Sequence, residues 1–431
     1  MGCCMGKLLI LMLFGLLSVS VQAAKFAYVP LTTQQGNVLQ VINTTTGFVV
    51  DSISMPGKSS GLLISSTSDR VYVSHRELGA ISIVDTLTNG LLDTLYFVGT
   101  TPKGMAFDRL NSDWLWIATD GGLSVANPTS GEVNKYPQGG TSAITYTGLA
   151  VESFAHNGAE YVLSLGYNGA DAGVSLVEAV SKNQVASFSL GTTSLGGMKL
   201  NATTGEIHLT DASNHTLKIL SLTTASPPVF TSVATYPFEI LNASNTKDTE
   251  RTFSDVDTHV YDAVGPQDQL TFITYGMSNF VQSVCDLGSG GIKVLDSSDG
   301  SELQDLTLRA GDFSSSTSQP MLVDVRSDGM LLVLHAVVCT TDNGVFLSEL
   351  QVSPPTAFDS QYRFLEVSRT SLGVQMQVVG DFVGPECALC PYGERLEPEK
   401  VKRRSAMSPW LFLLLMPLFV FRRRKSLTVR V

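Results

Sequence analysis

The residues of this chain that could carry out chemistry are six histidines and a set of aspartates in short loops. None of the histidines belongs to an HExxH motif or to another pair with zinc-ligand spacing. We interpret each of them as a surface residue or as a hydrogen-bonded strand residue: His75, His156, His208, His215, His259 and His335. The sequence also lacks a nucleophile elbow, a phosphate-binding loop and a dinucleotide fingerprint, so these enzyme classes are not indicated.

Four aspartates occur at comparable places in turn-forming segments: Asp120, Asp171, Asp211 and Asp342. If all four pointed towards a common axis, their carboxylate oxygens would suit Ca²⁺ rather than a transition metal. Aspartates in loops also form turns by accepting hydrogen bonds from their own backbone. The turn role is the preferred interpretation and calcium is the alternative; no other metal or cofactor is predicted.

The elements that must position these residues belong to a repeated unit of about forty residues. Asn43, Asp85 and Asn127 occupy the same point of the unit, at intervals of 42 residues. Each unit contains four short segments of alternating apolar residues bounded by Gly, Pro, Asn and Asp, which indicates strands. Such a period is typical of a β-propeller blade. We predict an all-β, seven-bladed β-propeller of four-stranded antiparallel sheets over residues 24–383.

Three of the four strands of a unit can be placed along the sequence. The first is predicted at Lys25–Pro30, Arg70–Ser74, Trp114–Ala118, Tyr161–Leu165, Ile207–Thr210, Leu270–Tyr275 and Met330–His335. The second is predicted at Leu39–Ile42, Ile81–Val84, Leu123–Ala126, Val174–Val177, Leu217–Leu220 and Ile292–Leu295, with a degraded copy at Val345–Val352. The fourth, innermost strand begins at Gly61, Gly104, Gly148 and Gly197, where a side chain would collide with the next blade. The first unit lacks this strand, which Ser371–Val378 is expected to supply by closing the ring.

The segment from Val71 to Phe107, VYVSHRELGAISIVDTLTNGLLDTLYFVGTTPKGMAF, is similar to the YVTN-family β-propeller repeat. Both have a YVxN-like strand, a VID-like strand that ends in TxT, and GxxPxG before a hydrophobic strand. The similarity is good over residues 25–152 and recognisable to about residue 222. It implies a bacterial envelope or surface protein of the binding type, and it assigns no catalytic residues.

The connections between strands have different lengths on the two faces of the predicted disc. Short turns share one face: Thr44–Gly47, Thr86–Gly90, Pro128–Gly131, Ser297–Gly300 and Arg326–Gly329. Longer insertions share the other: Gly166–Gly173, Ile240–Thr258, Gly276–Gly291 and Val337–Gly344. Long, uneven loops on one face of a rigid scaffold commonly carry recognition. We therefore predict a binding or scaffolding module whose candidate binding residues on this face are His75, Arg76, Glu77, Asp120, Asp171, Asp211 and Asp342.

An enzyme is the alternative. Some seven-bladed lactone hydrolases use His, Arg and Glu at the mouth of the channel, so His75, Arg76 and Glu77 also suggest a lactonase-like hydrolase or a lyase. The expected partner is an envelope protein or a small ligand of unknown identity. Nucleic acid is not expected, because the net charge is −11 and basic residues are concentrated after residue 395.

Both ends of the sequence resemble addressing segments. Residues 1–23 combine Lys7, an apolar run and small residues before Ala24, as secretory signal peptides do. Residues 406–425 form a hydrophobic anchor with a basic end, between a linker at 384–405 and a cytoplasmic tail at 426–431. The protein is expected on the periplasmic or cell-surface side of the membrane. A single-pass anchor and a tail cleaved by a sorting enzyme both remain open.

Four cysteines follow the signal segment, and an even number in an exported chain predicts disulfides. Cys285 and Cys339 lie in equivalent long loops of adjacent units, and we predict a bridge between them. Cys387 and Cys390 form a single CxxC pair, which is too little for a zinc ribbon, so they are expected to pair locally or to stay reduced.

Overall fold

A computed structural model describes the chain between Phe26 and Thr370, with interruptions. The described residues are 26–33, 36–65, 69–96, 101–137, 144–192, 194–201, 204–238, 251–260, 269–277, 290–297, 299–307, 318–325, 330–337, 343–353, 357–358 and 363–370. They all belong to the first of two compact units, Met1–Cys390 and Pro391–Val431. The signal segment 1–23, the segments 384–405, 406–425 and 426–431, Asp342, Ser371–Val378 and the four cysteines discussed above lie outside the described residues.

The described residues form seven antiparallel β-sheets, numbered here in chain order, and contain no α-helix. Sheet 1 has three strands: β1 Phe26–Thr33, β2 Gly36–Asn43 and β3 Phe48–Met55. Sheets 2 to 4 each have four: β4 Gly61–Ile64, β5 Arg70–His75, β6 Ala80–Asp85 and β7 Gly90–Tyr96; β8 Pro102–Phe107, β9 Leu115–Thr119, β10 Gly122–Ala126 and β11 Val133–Pro137; β12 Thr147–His156, β13 Ala159–Asn168, β14 Asp171–Glu178 and β15 Gln184–Ser189.

Sheets 5 and 6 also have four strands each: β16 Leu195–Leu200, β17 Ile207–Asp211, β18 Thr216–Leu222 and β19 Phe230–Pro237; β20 Arg251–Val260, β21 Gln269–Met277, β22 Gly291–Asp296 and β23 Glu302–Thr307. Sheet 7 has five: β24 Ser318–Val325, β25 Met330–Val337, β26 Asn343–Ser353, β27 Ala357–Phe358 and β28 Arg363–Thr370. Within this part of the chain, no helical segment has the length and apolarity needed to cross a membrane.

Each four-stranded sheet is a meander, so the predicted strand order is confirmed. In sheet 2, for example, Gly61 pairs with Ser74, Ser74 with Ile81, and Asp85 with Gly90. All the first and second strands predicted from alternation are present, and the observed strands extend a few residues beyond most of them. These segments stand out in the sequence because their residues are buried between two neighbouring sheets, which selects apolar and small side chains along the whole strand.

Consecutive sheets pack against each other through their inner strands. Strand β4 contacts β8, β8 contacts β12, and the series continues through β16, β20 and β24. The last sheet also reaches the first, because β28 lies beside β3. This circular succession of antiparallel sheets is a propeller-like, all-β fold.

The apolar core lies between sheets rather than within one of them. Between sheets 2 and 3, for example, Tyr72 and Ile83 pack with Met105, Leu115 and Ile117. Comparable clusters occupy the interfaces from sheet 3 to sheet 7. Sheets 3 to 6 therefore each bury their two faces against both of their neighbours.

The predicted reason for glycine at the start of the inner strands is confirmed for Gly61. A Cβ atom there would lie 2.2 Å from the carbonyl oxygen of Lys103, which belongs to the next sheet. A side chain at this position would therefore force the backbones of the two sheets apart.

Three expectations need correction. Residues 251–258 of the stretch Ile240–Thr258 are not a loop, because they belong to strand β20. The stretch Gly166–Gly173 is not a long loop, because Asn168 pairs with Asp171 and the hairpin closes on two residues, with Gly169 at φ +63°. The segment Val345–Val352 is not degraded either: it belongs to β26, an eleven-residue strand that pairs with β25. Its sequence lacks the turn residues that mark the second strand elsewhere, but backbone pairing does not require them.

Candidate functional site

The sequence-predicted binding residues that are described lie at one end of the sheets. This end carries residues 76–79, 120–121, 169–170 and 212–215, and we name it the upper face. These residues connect β5 to β6, β9 to β10, β13 to β14 and β17 to β18 in sheets 2 to 5. The opposite end, with residues 65, 69 and 108–114, is the lower face. In an antiparallel meander successive connections alternate between the two ends, so this assignment follows from the strand order.

Two of the predicted residues meet on the upper face, across a boundary between sheets. Arg76 of sheet 2 places its Nη2 atom 3.0 Å from Oδ2 of Asp120 in sheet 3. Lys103, also of sheet 3, places its Nζ atom 3.1 Å from Oδ1 of the same carboxylate. Burial pushes the pKa of Asp120 upwards, but hydrogen bonds from Thr101 and Lys103 and the charges of Lys103 and Arg76 outweigh it, so the pKa lies below its usual value.

The segment His75–Glu77 does not gather into one catalytic cluster. His75 ends strand β5 and is fully buried, with its Nε2 atom 2.8 Å from Oγ of the buried Ser82. Burial lowers the pKa of His75, although backbone groups of Lys58 and Gly57 partly oppose this shift, so the neutral imidazole is favoured. Arg76 and Glu77 are exposed in the turn that follows. The imidazole of His75 is therefore in a buried environment, whereas the side chains of Arg76 and Glu77 are in solvent.

Asp171 is held by side chains of its own sheet and of the segment before it. The Tyr146 hydroxyl donates to Oδ2 of Asp171 at 2.6 Å, and the Ser189 hydroxyl donates to Oδ1 at 2.9 Å. These two hydrogen bonds lower the pKa of the carboxyl group. Asp171 thus fastens the 144–146 segment to the start of β14.

Asp211 performs the turn role that the sequence favours for loop aspartates. Its side chain is buried, and Oδ1 accepts hydrogen bonds from the backbone N–H groups of Ser213 and Asn214, at 3.1 Å each. Thr192 donates to the same oxygen at 2.6 Å, and Lys218 lies 3.4 Å from Oδ2. All of these contacts are made by residues of sheet 5 or of the connection before it.

The described residues contain no group of three or more His, Cys, Asp or Glu side chains arranged to hold a metal ion. Among the histidines, His156 is partly buried, and His208 and His215 are buried. The side chains of His259 and His335, like Asp342, are outside the described set. The calcium hypothesis therefore has a local alternative for Asp120, Asp171 and Asp211, each of which is bound by neighbouring protein groups.

A second candidate site is a cavity of about 800 Å³ at the centre of the sheets. Its walls come from the inner strands of sheets 2, 3, 4, 5 and 7, including Leu63, Met105, Leu149, Met198 and Val323. Because strands of five sheets line one space, the cavity lies where the inner strands converge. Its volume falls within the range of roughly 300–1,000 Å³ that is usual for small-molecule pockets.

The charged rim of this cavity belongs to the lower face. It includes Asp69 from the connection before β5, Arg70 at the start of β5, and Asp108, Arg109 and Asp113 from the connection before β9. Tyr72 lies just inside, with its ring 5.8 Å from that of Phe107 in an edge-to-face arrangement. Loop length was the guide to function in the sequence analysis, and it favoured the upper face. The alternation of charges in Ser68-Asp69-Arg70 and Phe107-Asp108-Arg109 was the available signal for this rim.

No protein-family model and no curated protein matches the chain. A solved structure of a hypothetical selenium-binding protein from Sulfolobus tokodaii is similar, with a TM-score of 0.56 and 12% identity, over 82% of this chain and 93% of that chain. Hydrazine synthase from Kuenenia stuttgartiensis has a TM-score of 0.37 and 12% identity, over 73% of this chain and 70% of its own. At such identities the first similarity concerns the fold alone. The chain is thus similar to a protein with a propeller-like, all-β fold.

Proposed function

We propose that this protein is an exported, membrane-tethered, seven-bladed β-propeller of the YVTN-repeat type that binds an envelope partner through its upper face. The observation that carries the binding proposal is the ion-paired bridge of Arg76, Asp120 and Lys103. It fixes the upper ends of sheets 2 and 3 to each other, while the Arg76 side chain remains half exposed and Glu77 is exposed. Charged groups held on a rigid scaffold lose little conformational freedom when a partner binds.

The lactonase-like alternative receives less support from the same residues. A general base must reach its substrate, and the imidazole of His75 is fully buried against Ser82. A non-enzymatic module is therefore the function that the upper face supports best.

A site-specific cross-linking experiment tests the binding proposal. A photoreactive amino acid in place of Glu77 should give a defined adduct with one envelope protein in intact cells, because this position is exposed beside the ion-paired bridge. The matched control is Leu87, which lies in the same sheet on the lower face and is 52% exposed. Adducts of equal yield at both positions, or an adduct at Leu87 alone, would contradict the proposal. Arg76→Ala should reduce the yield at position 77.

The closed seven-bladed ring is supported by the edge position of β1. Among the described residues this strand is hydrogen-bonded to β2 alone, yet Phe26, Ala27 and Val29 are at most 3% exposed. An outer strand of sheet 7 already lies beside sheet 1. An inner strand from Ser371–Val378 would complete sheet 1 and satisfy its open edge.

Two truncated chains test this closure together with the tether. A chain that ends at Val383 should be exported, soluble and as heat-resistant as the full chain, since it keeps Ser371–Val378 and lacks residues 406–425. A chain that ends at Thr370 should unfold at a clearly lower temperature, because β1 then has an unpaired edge. Thermal unfolding followed by circular dichroism measures the difference. Equal midpoints would show that Ser371–Val378 does not close the ring, and membrane association of the chain ending at Val383 would show another anchor.

A further inference from the structure

The central cavity has the features of a binding site that is separate from the upper face. Its lining combines apolar with polar and charged side chains. Of the apolar ones, Leu63, Phe107 and Leu149 are only partly buried, so their side chains retain surface that a ligand could cover. Burial of such surface is the main driving force for small-molecule binding. The charged rim and the apolar side chains of the inner strands together indicate a ligand with an apolar body and a polar end.

The rim holds one cation that is weakly paired. Among the described residues, the nearest ion-pair partner of the Arg70 guanidinium is Asp69, with 4.0 Å between Nε and Oδ2. Asp69 already accepts a 2.7 Å hydrogen bond from the Ser65 hydroxyl. Most of the donors of Arg70 therefore remain available to a carboxylate ligand, which arginine binds in a bidentate manner.

The rim also holds one anion that is available. Asp113 is exposed, and within the described part of the chain its carboxylate has no hydrogen-bond or ion-pair partner, although its backbone N–H donates to Asn111. Arg70, Tyr72 and Asp113 all line this cavity. Burial raises the pKa of the Tyr72 hydroxyl, and the opposite charges of Arg70 and Asp113 both act on it. The other acids there are engaged: Asp108 accepts from Lys182 at 3.2 Å, and Glu152 accepts from the Leu200 N–H at 3.2 Å.

We propose that the central cavity binds a zwitterion with an apolar body, such as an α-amino acid with a large apolar side chain. Asp113 accepts hydrogen bonds from the ammonium group, Arg70 donates to the carboxylate, and the side chain enters between Leu63 and Phe107. A ligand with a single charge would leave one rim charge uncompensated. This pattern of charge complementarity therefore favours the zwitterion. The proposal does not depend on the upper face or on its partner.

Binding of tryptophan to the purified full chain in detergent, measured by calorimetry, tests this proposal. Asp113→Asn and Arg70→Gln should each raise the Kd about tenfold, because each removes a charged hydrogen-bond partner. Asp93→Asn is the matched control, since Asp93 is exposed on the outer strand β7 and does not line the cavity, and it should leave the Kd unchanged. All three substitutions are at positions that are at least partly exposed, so the fold is expected to tolerate them.

Two analogues that carry one charge each make the test specific. Indole-3-propionate lacks the ammonium group, so its binding should be insensitive to Asp113→Asn and remain sensitive to Arg70→Gln. Tryptamine lacks the carboxylate and should show the opposite pattern. The dipeptide Trp-Leu distinguishes a peptide from a free amino acid, since both carry the proposed chemistry. The proposal is overturned if tryptophan shows no saturable binding below about 10 mM, or if the two variants bind all the probes as the unmodified chain does.

Discussion

Replacing Gly104 with alanine should destabilise the protein by about 3 kcal/mol, a large effect for one methyl group. A Cβ atom at Gly104 would lie 2.7 Å from the Cα of Ala150 and 2.9 Å from the carbonyl oxygen of Leu149. Both atoms belong to the backbone of the next inner strand, so the strain cannot be relieved by the rotation of a side chain. The two inner strands must separate, and the apolar packing between sheets 3 and 4 is weakened with them.

Gly121→Ala is the matched control for this substitution. Gly121 lies in the upper-face turn of the same sheet, and a Cβ atom there would meet nothing within 4 Å. Thermal and urea unfolding of the two variants should therefore differ clearly, with Gly121→Ala close to the unmodified chain. If Gly104→Ala unfolds at the same urea concentration as Gly121→Ala, the inner strands do not approach each other as closely at Gly104 as described here.

The second large effect is expected for a buried lysine in sheet 6. The Lys293 side chain is 2% exposed and lies 2.9 Å from Oε2 of Glu302 and 3.0 Å from Oδ2 of Asp305. The two carboxylate side chains are each 39% exposed, so water reaches them but not the ammonium group. Replacing both acids, as Glu302→Gln with Asp305→Asn, should destabilise the protein by about 3 kcal/mol because it leaves a buried charge without a counter-charge.

Replacing the lysine instead of the two acids should be tolerated. Lys293→Met removes the charge that needs compensation and keeps a side chain of similar length, while the remaining carboxylates are hydrated and Asp305 still accepts from the Tyr275 hydroxyl at 2.7 Å. We expect a cost below about 1.5 kcal/mol for it. Asp299→Asn, at an exposed turn of the same sheet, serves as the control. Urea unfolding of the four proteins measures the asymmetry, and a Lys293→Met variant as unstable as the double variant would refute it.

The strands could be predicted from the sequence because the same pattern of buried residues recurs in each repeated unit. In β5, the five residues Val71–His75 are all buried, and the pattern of apolar and small residues recurs in every sheet. Gly61 could be placed on an inner strand for the same reason: only the central strands approach one another so closely that a Cβ atom is excluded. Properties that repeat with each unit are thus visible in a single sequence.

Contacts between units could not be predicted in this way. Arg76 and Asp120 are 44 residues apart, and their ion pair depends on how sheet 3 is rotated relative to sheet 2. The exposure of Arg70 and Asp113 at the cavity rim has the same origin. For His75, nearness in sequence was misleading. Arg76 and Glu77 next to it suggested a catalytic cluster, but His75 is buried at the end of β5 whereas Glu77 is exposed.

Because the apolar clusters lie between sheets, a cut in the polypeptide should not release a fragment. Cleavage by a protease in an exposed turn, such as residues 87–88, would leave both pieces held by cores that each piece shares with its neighbours. The nicked protein would then migrate as an intact particle on a sizing column and separate into two chains only in denaturant. A domain with this property remains assembled after limited proteolysis, which begins at exposed turns.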